Sequence, residues 1–171
     1  MKHEMSEARV SGQQYISRMC FVCGTENHFG LHTRFMELDD GRLCAEFTAH
    51  EQHQGYPGRI HGGIISAILD EAIGRAIQME QPDIFAVTIE LNVRFRKPAP
   101  LNTPLRVITE ITLDKGRIFE GEGALILEDG TIAANATARY MKLDVKQISD
   151  TGLSSVEWFP DEREQPSSIT I

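Results

Sequence analysis

A chain of 171 residues with 41% hydrophobic and 25% charged side chains fits one compact domain with a modest tail. Its formal net charge of −8 argues against non-specific binding to nucleic acid or to an anionic membrane, although local basic clusters remain able to meet a nucleotide's phosphates. Three cysteines, Cys20, Cys23 and Cys44, are an odd number and too few for a secreted disulfide framework, so reduced thiols are expected.

Met1 to Ser17 is polar and charged and carries no signal-peptide or lipidation pattern, so the cytoplasm is the expected compartment and residues 1–19 read as an N-terminal extension. Cys20-Phe21-Val22-Cys23, followed by His28 and His32, invites a zinc or redox reading. The spacing between the pairs is too short for a standard finger, and a redox pair would be expected beside a βαβ pattern that this chain lacks, so no metal is expected. Leu31 to Leu38 and Arg42 to Ala49 are extended runs joined by Asp39-Asp40-Gly41, the makings of a hairpin. His50 to Ile60 is broken by glycine and proline and reads as a loop, with His53 and Gln54 as candidates for touching a substrate.

From Gly63 to about Met79 there is no proline, and Ile65, Ile68, Leu69, Ala72, Ile73 and Ala76 recur at helical spacing. Asp70, Glu71 and Arg75 fall in the middle of this helix and rule out a membrane span. Stepping about 100° per residue gathers Gly63, Ser66, Ala67, Asp70 and Gly74 opposite the apolar stripe, a small-residue face that suits a helix contact or ligand crevice with Asp70 inside it. Glu71 lies elsewhere, toward Arg75 at i+4, and reads as a solvated pair. At the helix start, His61-Gly62-Gly63 leaves backbone N–H groups without intrahelical partners, where the macrodipole favours an oxyanion.

Gln81-Pro82-Asp83 ends the helical pattern, after which Val87, Ile89, Leu91, Val93 and Phe95 alternate with polar residues as a long strand with one apolar face. Leu105 to Leu113, Ile118 to Leu127 and Thr131 to Leu143 follow, joined by Asp114-Lys115-Gly116 and Glu128-Asp129-Gly130 turns. The order predicts an α+β fold, an antiparallel sheet of about six strands wrapped around one long central helix, and no α/β alternation supports a Rossmann or TIM fold. Residues 144–171 form a polar tail with little periodicity from Asp150 onward, in which Trp158 and Phe159 beside Pro160 are suited to docking on the sheet or on a neighbour.

His61-Gly62-Gly63, six residues, then Asp70 resembles the signature of hotdog-fold acyl-CoA thioesterases of the PaaI type. Glu51-x-His53-Gln54-Gly55-Tyr56-Pro57-Gly58 resembles the loop that many of them carry, and Cys20 to Leu31 resembles a box ahead of the fold in some. The resemblance covers roughly residues 20–143 and implies a hydrolase that splits an acyl-CoA thioester, needs no cofactor beyond the CoA of its substrate, and works as a homodimer or dimer of dimers (a homotetramer). Carried over by position, Asp70 is nucleophile or general base and the Gly62 N–H polarises the thioester carbonyl. Thr88 positions water, His61 organises the loop, and His53, Gln54, Gly55 and Gly63 line the substrate site. Gly55 is a departure, since some members carry an Asn there that orients the carbonyl or water, a task that Gln54 or His53 would then take.

At a rise of 1.5 Å per residue, Asp70 stands about 12 Å along the helix from Gly62, so one carbonyl cannot touch both groups of one chain. Two such helices lying antiparallel across a twofold axis would bring the helix start of one protomer opposite Asp70 of the other. A hotdog dehydratase or hydratase and a non-catalytic acyl-CoA-binding protein are the alternatives. The first would use a His with an acidic partner, and the second leaves Asp70 without a task on a face where an unpaired carboxylate is costly.

Overall fold

The helix owes its place to two glycines on the strand beneath it. In the computed structural model, which describes residues 2–148 and 153–171, α1 (Gly62–Arg75) continues as a 3-10 turn, Ala76–Met79, and lies across one face of the sheet. A Cβ added to Gly121 would stand 2.8 Å from Ile73 Cγ2, and one added to Gly123 would stand 3.1 Å from Ile73 Cγ1. Only bare backbone lets the helix settle this low. Ile65, Ile68, Leu69, Ala72 and Ile73 are buried there, each large aliphatic contributing about 1.5–3 kcal/mol.

The strands, in chain order, are β1 (Glu7–Gln13), β2 (Ile16–Ser17), β3 (Arg34–Leu38), β4 (Leu43–Thr48), β5 (Ile84–Phe95), β6 (Pro104–Asp114), β7 (Ile118–Ile126), β8 (Ile132–Asp144), β9 (Trp158–Phe159) and β10 (Ser168–Thr170), with a short helix α2 (Val145–Ile148) after β8. Eight of them form one antiparallel sheet in the order β10-β1-β3-β4-β6-β7-β8-β5, while β2 and β9 pair apart from it. The hairpin, the central helix and the four-strand run stand where the periodicity placed them.

The sheet has eight strands rather than about six, because the terminal segments add β1 and β10 beyond β3. Both are short or weakly patterned, and their apolar residues find partners only across the fold: Ala8, Val10, Ile169 and Ile171 pack with Met36, Leu38 and Cys44. Those residues alternate with Phe35, Leu43 and Ala45 of the helix-side core, so this second cluster occupies the opposite face of the sheet. The tail therefore docks on its own chain, at Ser168–Thr170 along β1 and at Trp158–Phe159 along β2; the part of it at residues 149–152, Asp150 included, lies outside the described residues. Among the described residues no helix is long and apolar enough to cross a membrane.

At the other end of the sheet β5 pairs, among the described residues, only with β8, and its pairing is irregular between Thr88 and Glu90. Thr88 faces Tyr140 and Glu90 faces Arg139, so Ile89 is an extra residue, a β-bulge. Opposed residues share a face of the sheet. Leu91 and Val93, opposite the buried Ala138 and Ala136, turn to the helix side after the bulge, and Thr88, opposite buried Tyr140, turns to the same side before it. Simple alternation would have sent Thr88 and Leu91 to opposite faces.

Candidate active site

The bulge brings Thr88 over the middle of α1, where Asp70 projects. Thr88 Oγ1 donates to Asp70 Oδ1 at 2.8 Å. The Tyr140 hydroxyl lies 2.8 Å from the Asp70 carbonyl oxygen and 3.1 Å from Oδ1, donating between the two. Tyr140 is itself fixed, 1% exposed and stacked on Phe119 at 5.0 Å between ring centroids. Burial pushes the Asp70 carboxyl above its ordinary range, the hydrogen bonds from Thr88 and Tyr140 pull against it, and the neighbouring Glu71 charge adds to the rise. Burial and the facing Asp70 charge also push the Tyr140 phenol up, so it stays a neutral donor.

Tyr140 was not singled out from the sequence. Its signal was there in the register: it is the one aromatic of an alanine-rich strand, directly across from Thr88. Gly74 serves this ring as well. A Cβ on Gly74 would press to 3.1 Å of Tyr140 Cε1, so the small side chain there makes room for Tyr140 of the same chain rather than for a second helix.

His61 caps α1 from an extended conformation (φ −65°, ψ 139°), its Nδ1 accepting from the Gly63 N–H at 2.9 Å. That spends the Gly63 donor. Among the described residues no acceptor meets the Gly62 N–H, and a Cβ at Gly62 would find only the Phe95 ring at 3.5 Å, an ordinary contact. In the loop before it, Gly55 lies against His61, where a Cβ would stand 3.0 Å from the His61 Cα, which is the steric reason for glycine at this position. Gln54 Oε1 accepts from the Gly58 N–H at 2.8 Å and braces the loop from its exposed side.

His53 is a correction. It is 1% exposed, with Nδ1 accepting from the His50 N–H at 2.9 Å and Nε2 bonded to the Phe29 carbonyl at 2.9 Å. With both ring nitrogens spent inside the protein, it holds the loop and has nothing left for a substrate.

Glu71 and Arg75 are a second correction. The pair forms, Arg75 Nε to Glu71 Oε1 at 2.7 Å, but it is not a solvated one, since Arg75 is 6% exposed. Its guanidinium also donates to the Tyr15 carbonyl at 2.8 Å and to Cys23 Sγ at 3.1 Å, and lies 4.4 Å from the Phe35 ring centroid and 4.7 Å from that of Trp158. The i+4 spacing gave the ion pair, and the folding of the termini over it supplied the burial. Trp158 in turn packs edge-on to Phe85. Asp70, Thr88, Tyr140, Arg75, Phe85 and Trp158 thus surround one cleft of about 140 Å3. Larger hollows exist, one of about 240 Å3 beside His3 and Arg42 and one of about 440 Å3 that shares Gln78 and Trp158 with this cleft; Asp70, Thr88 and Tyr140 together line the smaller one. As for metal ligands, among the described residues the grouping is Cys20, Cys23 and Glu71, while His32 bonds to the Asn27 carbonyl instead.

Residues 57–134 match the Thioesterase superfamily family. An acyl-coenzyme A thioesterase THEM4 of Mus musculus is 34% identical over 114 residues, 66% of this chain and 48% of the relative. A thioesterase superfamily protein of known structure superposes with a TM-score of 0.68 at 26% identity, over 74% of this chain and 64% of that one. The PaaI protein of E. coli, from the phenylacetic acid degradation operon, shares the fold at a TM-score of 0.60 and 15% identity, over 66% of this chain and 80% of its own. The chain spans about half the length of the curated relatives it matches. The fold is thus the hotdog fold.

Proposed function

We propose that this chain, a hotdog-fold protein whose residues 57–134 carry the thioesterase-superfamily match, is an acyl-CoA thioesterase that releases a free acid and CoA. One observation carries the reading: a half-buried carboxylate, Asp70, held by two hydroxyl donors on the open face of a helix whose own first N–H, Gly62, stands unspent.

The chemistry follows from those groups. Asp70 attacks the thioester carbonyl or takes the proton from the water that does, and its raised pKa makes it a better base than an ordinary carboxylate. Thr88, one hydrogen bond away, sets its rotamer and orients water, and Tyr140 holds it from behind. The Gly62 N–H, at the positive end of α1, receives the charge that develops on the carbonyl oxygen. His61 supports that donor by capping the turn, and Gln54, Gly55 and Gly63 shape the loop that meets the substrate. The cap also keeps the N–H of Gly63 occupied, which leaves Gly62 as the donor to be used.

Two protomers share each site in this reading. A cleft of about 140 Å3 falls short of the roughly 300 Å3 at which ligand pockets begin. Asp70 and Gly62 lie on one helix, eight residues apart, so a second α1 running antiparallel supplies the missing donor. The free edge of β5 and the half-exposed face of Ser66, Ala67 and Asp70 are the surfaces suited to it, with Val87, Ile89 and Phe95 still 36%, 49% and 53% exposed. A homodimer is the minimum assembly and a dimer of dimers satisfies the same geometry. The compartment that goes with three free cysteines is the reducing cytoplasm.

Asp70→Asn tests the reading. The amide keeps the shape and loses the base, so thiol release from a panel of short, long, branched and aromatic acyl-CoAs should fall by orders of magnitude while fold and assembly persist. Near wild-type turnover would remove Asp70 from its role. Acyl-CoA binding without turnover in the unmodified chain would instead favour a non-catalytic binder.

A further inference from the structure

Cys20 and Cys23 have no part in the thioester chemistry, yet the fold builds a charged pocket around them. Cys23 is 0% exposed, and its Sγ accepts from Arg75 Nη2 at 3.1 Å and from the Ser17 N–H at 3.3 Å. Cys20 is only partly buried, and its Sγ accepts from the Val22 N–H at 3.3 Å. The two sulfurs and a Glu71 carboxylate oxygen all lie within 4.8 Å of one another. The third thiol, Cys44, sits across the sheet in the opposite core with no such partners, and burial pushes it up to about 12.

We infer that Cys20 and Cys23 form a redox-active dithiol that a hydroperoxide oxidises to a disulfide, with Cys20 as the attacking sulfur, Cys23 as the resolving one and Arg75 as the cation that supports them.

Arg75 stands 3.1 Å from Cys23, where its charge favours the resolving sulfur as that sulfur gives up its proton and attacks. Glu71 opposes that, but Arg75 is bonded to it at 2.7 Å and offsets its charge. Cys20 is the more open of the two sulfurs and takes a hydrogen bond from the Val22 N–H, while Cys23 is fully enclosed. The more open sulfur is thus the one a hydroperoxide reaches, and the enclosed one is placed to resolve it.

The steps balance. The Cys20 thiolate attacks the peroxide, an S–O bond forms, the O–O bond breaks, and the leaving alkoxide or hydroxide takes a proton. Cys23 then attacks the sulfenic sulfur, the S–S bond forms, the S–O bond breaks and water leaves. Two thiols lose two electrons and two protons, and the hydroperoxide becomes an alcohol (or water) and water. Thiol exchange with a reducing dithiol restores the pair. The sulfurs stand in one turn, three residues apart in sequence, close enough for side-chain rotation to reach the S–S length of about 2 Å.

Zinc is the rival occupant of two thiols and a carboxylate. Arg75 argues against it, because its guanidinium already bonds both Cys23 and Glu71 and places a fixed positive charge where the ion would go.

The test uses the full chain, treated with hydrogen peroxide and then denatured for thiol counting and peptide mass analysis. We expect three thiols to fall to one, a Cys20–Cys23 peptide lighter by two hydrogens, Cys44 as the remaining thiol, and full recovery with dithiothreitol. In Cys23→Ser, dimedone should trap a sulfenic acid on Cys20, whereas Cys20→Ser should leave the enclosed Cys23 unlabelled. Three thiols surviving oxidant that converts a free cysteine control, loss of Cys44 together with the pair, or labelling at Cys23 in place of Cys20 would overturn the inference. So would purified protein carrying close to one equivalent of zinc whose removal exposes the two thiols.

Discussion

Removing the Thr88 hydroxyl should move the acid limb of the pH–rate profile toward higher pH. Burial raises the Asp70 pKa, and the hydrogen bonds from Thr88 and Tyr140 lower it by favouring the charged form. A catalytic carboxylate must be ionised, so kcat/KM rises with pH through that pKa, and losing a donor raises the pKa further. The two donors are not equal. Thr88 gives its proton to Oδ1 alone at 2.8 Å, while Tyr140 divides one proton between the Asp70 carbonyl at 2.8 Å and Oδ1 at 3.1 Å. A hydrogen bond to a charged group contributes about 1.5–3 kcal/mol, and the solvent exposure of Thr88 argues for the lower figure, about tenfold in the ionisation equilibrium. In Thr88→Val, activity on the acid limb should therefore fall about tenfold at a fixed pH. Tyr140→Phe should displace the limb in the same direction and by less, and Thr88→Ser should return it. The plateau, measured in the same assay of thiol release, reports any separate part that Thr88 plays in orienting water. A limb that stays put, moves to lower pH, or moves further in Tyr140→Phe than in Thr88→Val would refute the assignment of the donors.

Other perturbations reach the assembly and the core. Gly62→Pro removes the N–H while His61, at φ −65° and ψ 139°, already holds the conformation that precedes proline, so the helix should survive and the activity should not. Mixed and reassociated with Asp70→Asn, it should recover about a quarter of the wild-type rate per protomer, since half of the dimers gain one intact site; no recovery from two well-folded variants would place both groups in one chain's site. Gly121→Val drives a side chain into Ile73 and should cost about 1–3 kcal/mol in urea unfolding. Trp158→Ala uncovers the Arg75 guanidinium and should lose about 1–3 kcal/mol, less than a fully buried Trp because Trp158 is half-exposed; unchanged stability would mean the tail adds nothing to the fold.

The parts of this fold that sequence made legible are those whose partners are local or periodic. Ile65, Leu69 and Ala72 announce a helix by their spacing, and Asp39-Asp40-Gly41 announces a hairpin by its turn chemistry. What stayed hidden depends on contacts distant in sequence. β10 has three residues and pairs with β1 about 160 positions away, a partnership no local pattern encodes. Arg75 looked solvated because its covers, Tyr15, Phe35 and Trp158, come from both ends of the chain. His53 looked available because a loop histidine usually is, and its burial follows from the Phe29 carbonyl reaching across to it. Tyr140 needed the register of β5 on β8, and that register needed the bulge.

The extra residue at Ile89 makes β5 behave like a message with a fixed reading frame. Its composition is forgiving, because several of its side chains lie near water and one apolar residue there can replace another. Its length is not. Deleting Ile89 leaves every other residue of the strand in place in the sequence, yet it puts Thr88 and Leu91 out of phase, so a strand that keeps Leu91 and Val93 on the core must turn Thr88 outward, and one that keeps Thr88 on Asp70 must bring Leu91 and Val93 out into solvent. A one-residue change in length at this point thus does what no conservative substitution there does, separating the packing of the sheet from the chemistry it supports.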